Sequence, residues 1–223
     1  MTQDPLIWTK RNTLTYEWCH ALIEKFEEYE YGFEGQKIHG AIGNGTYRPR
    51  VKQSIDLHMR PEYFPEEDDL LFDLLSKLIK EYLDHINTTF PLESHKPGMH
   101  QAQMNPLSTG CAFDTGYQIQ RTEPGGFYTW HTDFAQYGTK HHAARCLTYI
   151  WYLNSVGKGG YTEFYNGIKV YPETGKFLMF PATWTYVHRG YPPEKTKYII
   201  TGWVYEPPSS YAEELGIPTD IPE

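Results

Sequence analysis

Pro124-Gly125-Gly126-Phe127-Tyr128-Thr129-Trp130-His131-Thr132-Asp133 is the stretch on which the reading of this chain turns. A proline-glycine turn signal is followed by aromatic and β-branched residues, the composition of a strand. In a strand, residues i and i+2 point to one face, so His131 and Asp133 present an imidazole nitrogen and a carboxylate oxygen to the same point. Those two atoms suit one divalent metal ion. A third ligand has to come from a distant strand, and His188 is the candidate. Two histidines and one carboxylate on one face of an octahedron leave three positions open, a set that suits non-haem Fe(II) handling an oxidisable co-substrate and O₂. The tripeptide His-x-Asp is short, so the surroundings must carry the argument.

Working outward, the hydrophobic period is two from about Gly110 onward. Strands are expected near Gly116–Arg121, Phe127–Asp133, Ala144–Leu153, Tyr161–Phe164, Ile168–Val170, Phe177–Phe180, Thr185–His188 and Lys197–Tyr205, with turn signals between them. Such a series of short strands suggests a small barrel or sandwich. Upstream, Trp18, Leu22 and Phe26 at i, i+4, i+8 predict a helix capped by Thr15. Gly32 to Gly45 reads as a long loop, and Val51–Leu57 alternates as a strand. Pro65 and the acids after it open a second helix, with Leu71, Leu74, Leu75, Leu78, Ile79 and Tyr82 as its buried stripe. Pro91 to Pro106 is irregular. The expected organisation is a single domain: helical and irregular support over 1–116, a β core over 117–205 and an acidic tail over 206–223.

Composition narrows the function classes. Twenty Lys and Arg against 28 Asp and Glu give a net charge of −8, which argues against a broad nucleic-acid surface. Mean hydropathy is −0.61, and no apolar run approaches the length of a membrane helix. Aromatics at 16% argue against disorder. The first residues lack the layout of a secretory signal, and Cys19, Cys111 and Cys146 are too scattered for a disulfide framework. Together these features predict a reduced, cytoplasmic protein.

Further motifs follow the first in order. Arg145-Cys146-Leu147-Thr148-Tyr149-Ile150-Trp151-Tyr152-Leu153-Asn154 is a long strand, Gly159-Gly160-Tyr161-Thr162-Glu163-Phe164 a glycine hairpin, and Gly175 to Pro181 another strand. His188-Arg189-Gly190 precedes Lys197-Tyr198-Ile199-Ile200-Thr201-Gly202-Trp203. In this order the motifs resemble the Fe(II)/2-oxoglutarate dioxygenases, in their prolyl-4-hydroxylase-like branch, over about Tyr117 to Tyr205. The resemblance implies a mainly β fold with N-terminal helices around a double-stranded β-helix (jelly-roll, cupin-like) core. It implies Fe(II), 2-oxoglutarate and O₂, with ascorbate as an accessory reductant, and hydroxylation of a C–H bond coupled to decarboxylation of 2-oxoglutarate to succinate. The substrate is expected to be a peptide, plausibly at proline, or a small molecule.

The residues fit that chemistry on physical grounds too. The far carboxylate of 2-oxoglutarate needs a fixed cation in a mostly dry pocket. Lys197 and Thr201 share parity on the last strand and can both face inward, with Lys195 the nearest rival. The resemblance adds Tyr152 as a phenol donor to the same carboxylate, and Arg145 and Trp203 as substrate contacts. It departs at Arg121 and Thr122, where many relatives carry a tyrosine near the other carboxylate; either of these, or Tyr117, is a substitute. Gly32–Arg50 and Phe134–His142 are long enough for a lid, and Arg48, Arg50 and Lys52 beside Tyr47 read as a basic rim. His141-His142 reads as solvated rim. The competing class is a non-catalytic cupin-like β-barrel that binds a metal or ligand; a zinc hydrolase is a third, minor reading.

Overall fold

A computed structural model of the 223-residue chain describes residues 4–29, 37–42, 45–90, 113–134 and 145–205. In chain order the elements are β1 (Trp8–Lys10), α1 (Tyr16–Glu28), β2 (Ile38–His39), β3 (Ile55–Met59) and α2 (Pro65–Thr89). Then come β4 (Phe113–Asp114), β5 (Tyr117–Thr122), β6 (Tyr128–His131), β7 (Arg145–Tyr152), β8 (Thr162–Phe164), β9 (Lys169–Val170), β10 (Lys176–Pro181), β11 (His188–Gly190) and β12 (Lys197–Tyr205). The major sheet runs β1-β10-β7-β12-β5-β3-β2, with β4 on β12; the minor sheet runs β6-β11-β8-β9. This is the expected double-stranded β-helix, mainly β with helical support.

Parity on the central strand shows how the layers form. Leu147, Tyr149 and Trp151 of β7 join one core with Leu22 and Phe26 of α1 and Leu71, Leu75 and Tyr82 of α2. Ile150 and Tyr152 turn the other way and pack with Phe164 and Val170 of the minor sheet. A strand buried on both faces loses its polar alternation, which is why β7 reads as a nearly continuous apolar run. The helices therefore back the major sheet and leave the space between the sheets for the site. Thr15 caps α1 as expected, its Oγ1 accepting from Trp18 N at 3.2 Å. Cys19 is fully buried in this layer, and burial pushes its thiol up to about 11.

Several boundaries differ from the sequence reading. The strand expected at Val51–Leu57 forms at Ile55–Met59, because Val51 and Gln53 spend their backbone groups on the stretch around β6 instead (Gln53 N to Phe127 O, 2.7 Å; Thr129 N to Val51 O, 2.8 Å). The strand expected to end at His188 begins there. β2 lies inside the expected glycine-rich loop, and β1 and β4 are too short to carry a period. The irregular 91–106 stretch, Cys111, His141-His142 and the acidic tail fall outside the described residues.

One glycine in β12 is there for space. A Cβ at Gly202 would stand 2.2 Å from Tyr149 Oη and 2.6 Å from Gly116 O, the two groups of a 2.9 Å hydrogen bond. Gly202→Ala is expected to cost about 1–3 kcal/mol by overpacking, seen as a melting temperature lower by several degrees. An unchanged melting temperature would contradict this packing.

Candidate active site

The minor sheet sets the geometry. β6 and β11 are antiparallel, and their register places His188 directly opposite His131. Asp133 lies two residues past the end of β6, outside any regular element, with its carboxylate between the two imidazoles. His131 Nε2 is 3.8 Å from Asp133 Oδ1, and His188 Nε2 is 3.6 Å from Asp133 Oδ2. One donor atom from each of the three residues lies within 4.8 Å of the others. These are the three ligands expected from the sequence, brought together.

Each ring is held so that one nitrogen stays available. His131 Nδ1 contacts Thr129 O at 2.7 Å and His188 Nδ1 contacts Tyr186 O at 3.0 Å. A carbonyl accepts only from an N–H, so Nδ1 carries a proton in each ring and Nε2 is the nitrogen turned toward Asp133. Tyr128 stacks on His131 with centroids 3.5 Å apart, and Phe180 meets His188 edge-on at 4.9 Å. Burial, helped by the neighbouring His188, holds the His131 imidazole well below its usual range, so it stays neutral. Burial alone would raise the Asp133 carboxyl; the two imidazoles and the Thr148 hydroxyl, 2.8 Å from Oδ2, bring it below its ordinary value.

A pocket opens from this cluster between the sheets. Thr122, Thr162, Thr201, Ile150 and Ile199 line it, and Lys197 stands among them 5% exposed. Lys197 Nζ donates to Gly160 O at 3.0 Å, and no carboxylate among the described residues pairs with it. An unpaired buried ammonium is costly, and here burial pushes its pKa down to about 8. Lys195, the rival, is exposed. Thr201 shares the inward face as expected, with its hydroxyl hydrogen on Tyr149 O at 3.1 Å. Tyr152 lies one layer deeper: its hydroxyl meets Thr162 Oγ1 at 2.7 Å, and Thr162 forms the pocket wall in its place.

At the mouth, the Arg145 guanidinium stacks 3.8 Å from the Trp203 ring centroid. Among the described residues Arg145 Nε and Trp203 Nε1 are buried without a hydrogen-bond partner, and the indole N–H lies near enough to Asp133 to help lower its carboxyl. Of the substitutes near the other carboxylate, Arg121 turns outward to Glu27 at 2.7 Å and Tyr117 packs on the helix side. Only Thr122 reaches the pocket. The expected basic rim is broken, since Arg48 and Arg50 are exposed while Lys52 is buried against Asp56 at 2.7 Å. Of the expected lid segments, Phe134–His142 lies outside the described residues after Phe134, whereas Gly32–Arg50 is described over 37–42 and 45–50 and brings Ile38, Ala41 and Ile42 to the mouth. Tyr128, Gln120, Thr148 and Thr162 were not singled out from the sequence. The polar alternation Gln118-Gln120-Thr122 in β5 is the signal that could have found Gln120, because polar residues there face the interior.

Residues 117–205 match the family model described as the 2OG-Fe(II) oxygenase superfamily. The chain thus carries a 2OG-Fe(II) oxygenase domain and is a 2-oxoglutarate-dependent dioxygenase using Fe(II), 2-oxoglutarate and O₂. Its fold is that of prolyl-4-hydroxylase-like structures. The viral collagen prolyl hydroxylase of Paramecium bursaria chlorella virus-1, in its 2OG complex, aligns with a TM-score of 0.59 at 19% identity, over 90% of this chain and 96% of that one. A Trichoplax adhaerens prolyl hydroxylase in complex with a hypoxia inducible factor peptide fragment aligns at 0.60 and 15% identity, over 90% and 84%. A Pseudomonas putida prolyl-4-hydroxylase aligns at 0.56 and 17% identity, over 90% and 92%. No curated protein matches the chain by sequence.

The residues present fit this cofactor set. Two imidazoles and a carboxylate form an N₂O donor face, and Lys197, which has no carboxylate partner among the described residues, calls for an anion. Lys197 must be protonated to attract a carboxylate, and its free-protein pKa is about 8. The 2-oxoglutarate Kd is therefore expected to stay level below about pH 7 and to rise roughly tenfold per pH unit above 8. Anaerobic titrations across that range test this, and level affinity up to about pH 9.5 would place the cation elsewhere. The same shift acts on stability. The folded chain binds fewer protons than the unfolded one between about pH 8 and 10.5, so the burial penalty is full below that window and relieved as pH rises through it.

Proposed function

We propose that this dioxygenase hydroxylates a peptidyl substrate at proline, with the metal held by His131, Asp133 and His188 and the far carboxylate of 2-oxoglutarate held by Lys197. When bound, Fe(II), 2-oxoglutarate and O₂ supply oxidative decarboxylation to succinate and CO₂, with one oxygen atom going to the substrate C–H bond. The protein's part is placement. His131 and His188 offer their Nε2 atoms, and Thr148 holds Asp133 through Oδ2. Tyr128 and Phe180 pack against the two rings and keep water from their faces.

The observation that carries the peptide reading is the pair of buried N–H groups at the mouth, Arg145 Nε and Trp203 Nε1, that find no hydrogen-bond partner among the described residues. Buried N–H groups without partners favour a ligand that brings acceptors, and a peptide backbone supplies carbonyl oxygens at regular spacing. The Trichoplax neighbour holds a peptide fragment, in line with this reading. A panel of proline-containing peptides, free proline and other free amino acids tests it. The expected result is succinate release matched by a gain of one oxygen on a prolyl peptide. Matched turnover on a free amino acid, with none on any peptide, would overturn the peptide assignment.

A further inference from the structure

Lys52 is a second buried ammonium in this site, 4% exposed, and it lines both the deep pocket and the mouth. Its Nζ lies 2.7 Å from Asp56 Oδ2 and 3.4 Å from Ala41 O, while Ser54 Oγ donates to Asp56 Oδ1 at 2.7 Å. An ammonium has three N–H donors, and these contacts engage two. The backbone is built around the cluster: a Cβ at Gly40 would stand 2.2 Å from Ser54 Oγ and 3.0 Å from Lys52 Cε.

The two lysines stand at different ends of the site. Lys52 Nζ sits 5.4 Å from the centroid of the Tyr128 ring, the same ring that stacks on His131. The Lys52 backbone also bridges that of Tyr128. Lys197 instead lies on β12, bonded to Gly160. A 2-oxo dicarboxylic acid carries one carboxylate beside its keto group and one at its far end. The far one is assigned to Lys197. For the near one, Arg121 is committed to Glu27 on the outer face and Tyr117 to the helix-side core, while Thr122, which does reach the pocket, is the register partner of Lys197 and carries no charge.

We propose that Lys52, braced by Asp56, is a second co-substrate-binding residue whose remaining N–H meets the carboxylate beside the keto group. This rests on the reading of the pocket as the 2-oxoglutarate site. It gives the lysines separable roles. Lys52 senses any 2-oxo acid, whereas Lys197 senses only one with a second carboxylate.

The test is anaerobic titration of Fe(II) protein with 2-oxoglutarate and with 2-oxobutyrate, which lacks the far carboxylate, followed by the visible absorption of the chelate. Removing Lys52 alone would strand a buried Asp56, so the variant is Lys52→Met with Asp56→Asn. Its Kd for both acids is expected to rise by a similar factor, about tenfold or more. Lys197→Ala is expected to weaken 2-oxoglutarate alone. Unchanged binding of both acids by the Lys52→Met/Asp56→Asn protein would overturn the proposal.

Should that variant fail to fold or lose metal, a crystal structure of the unaltered protein with Mn(II) and N-oxalylglycine decides. Lys52 Nζ within about 3.5 Å of the oxalyl carboxylate is expected. That carboxylate held by another residue, with Nζ still on Asp56 alone, would overturn it. Failure of the unaltered protein to bind either acid would overturn the pocket assignment as well.

Discussion

Replacing His188 with alanine is expected to abolish stoichiometric Mn(II) binding at micromolar protein while leaving the fold in place. The sheet register makes His188 the partner of His131, and its Nε2 faces Asp133 at 3.6 Å. Nothing else described can take its place, since the described His, Cys, Asp and Glu residues offer this one cluster for a metal. Removing one imidazole leaves two protein ligands and an enlarged, wetter site. The change is tolerable to the fold because His188 makes ring contacts with Phe164 and Phe180 and one hydrogen bond, to Tyr186 O, and joins no larger polar network outside the site. Calorimetric titration with Mn(II), beside a thermal melt, reads both effects. Full-affinity binding by a folded His188→Ala protein would remove this residue from the site.

Lys197→Ala is expected to raise the 2-oxoglutarate Kd by at least about two orders of magnitude and to leave metal affinity nearly unchanged. Truncating one partner of a desolvated charge pair typically costs roughly 3–5 kcal/mol, and about 1.4 kcal/mol is tenfold. Among the described residues no counter-charge meets this buried ammonium, so the co-substrate carboxylate would supply a missing partner. Lys195→Ala serves as the internal comparison, because Lys195 is exposed two residues earlier. Collapse of affinity in Lys195→Ala with near-normal affinity in Lys197→Ala would show that the anchor had been placed two residues too late.

The parts of this site that were legible in the sequence are those set by strand parity within one segment. His131 with Asp133, and Lys197 with Thr201, lie on common faces because a strand repeats every two residues. His188 followed from needing a third ligand, and the ordered motifs supported it. What could not be read depended on pairing between segments. Lys52 looked like a rim charge because nothing local shows that Val51–Gln53 bonds to the chain around β6, which carries it inside. Tyr152 has inward parity, and its depth behind Thr162, whose Oγ1 meets its hydroxyl at 2.7 Å, depends on another strand. β1, β2 and β4 are two or three residues long and exist only because a neighbour's edge stabilises them.

Fe(II) on His131, Asp133 and His188 is expected to bind a 2-oxo acid anchored by Lys197. The visible spectrum of the anaerobic Fe(II) protein, recorded before and after 2-oxoglutarate is added, tests it most directly. A keto acid chelating the metal through two oxygens gives a weak metal-to-ligand band, which should appear at one equivalent in the unaltered protein, need far more co-substrate in Lys197→Ala, and be absent in His188→Ala. No band in the unaltered protein at saturating Fe(II) and 2-oxoglutarate, or an undiminished band in His188→Ala, would contradict the account.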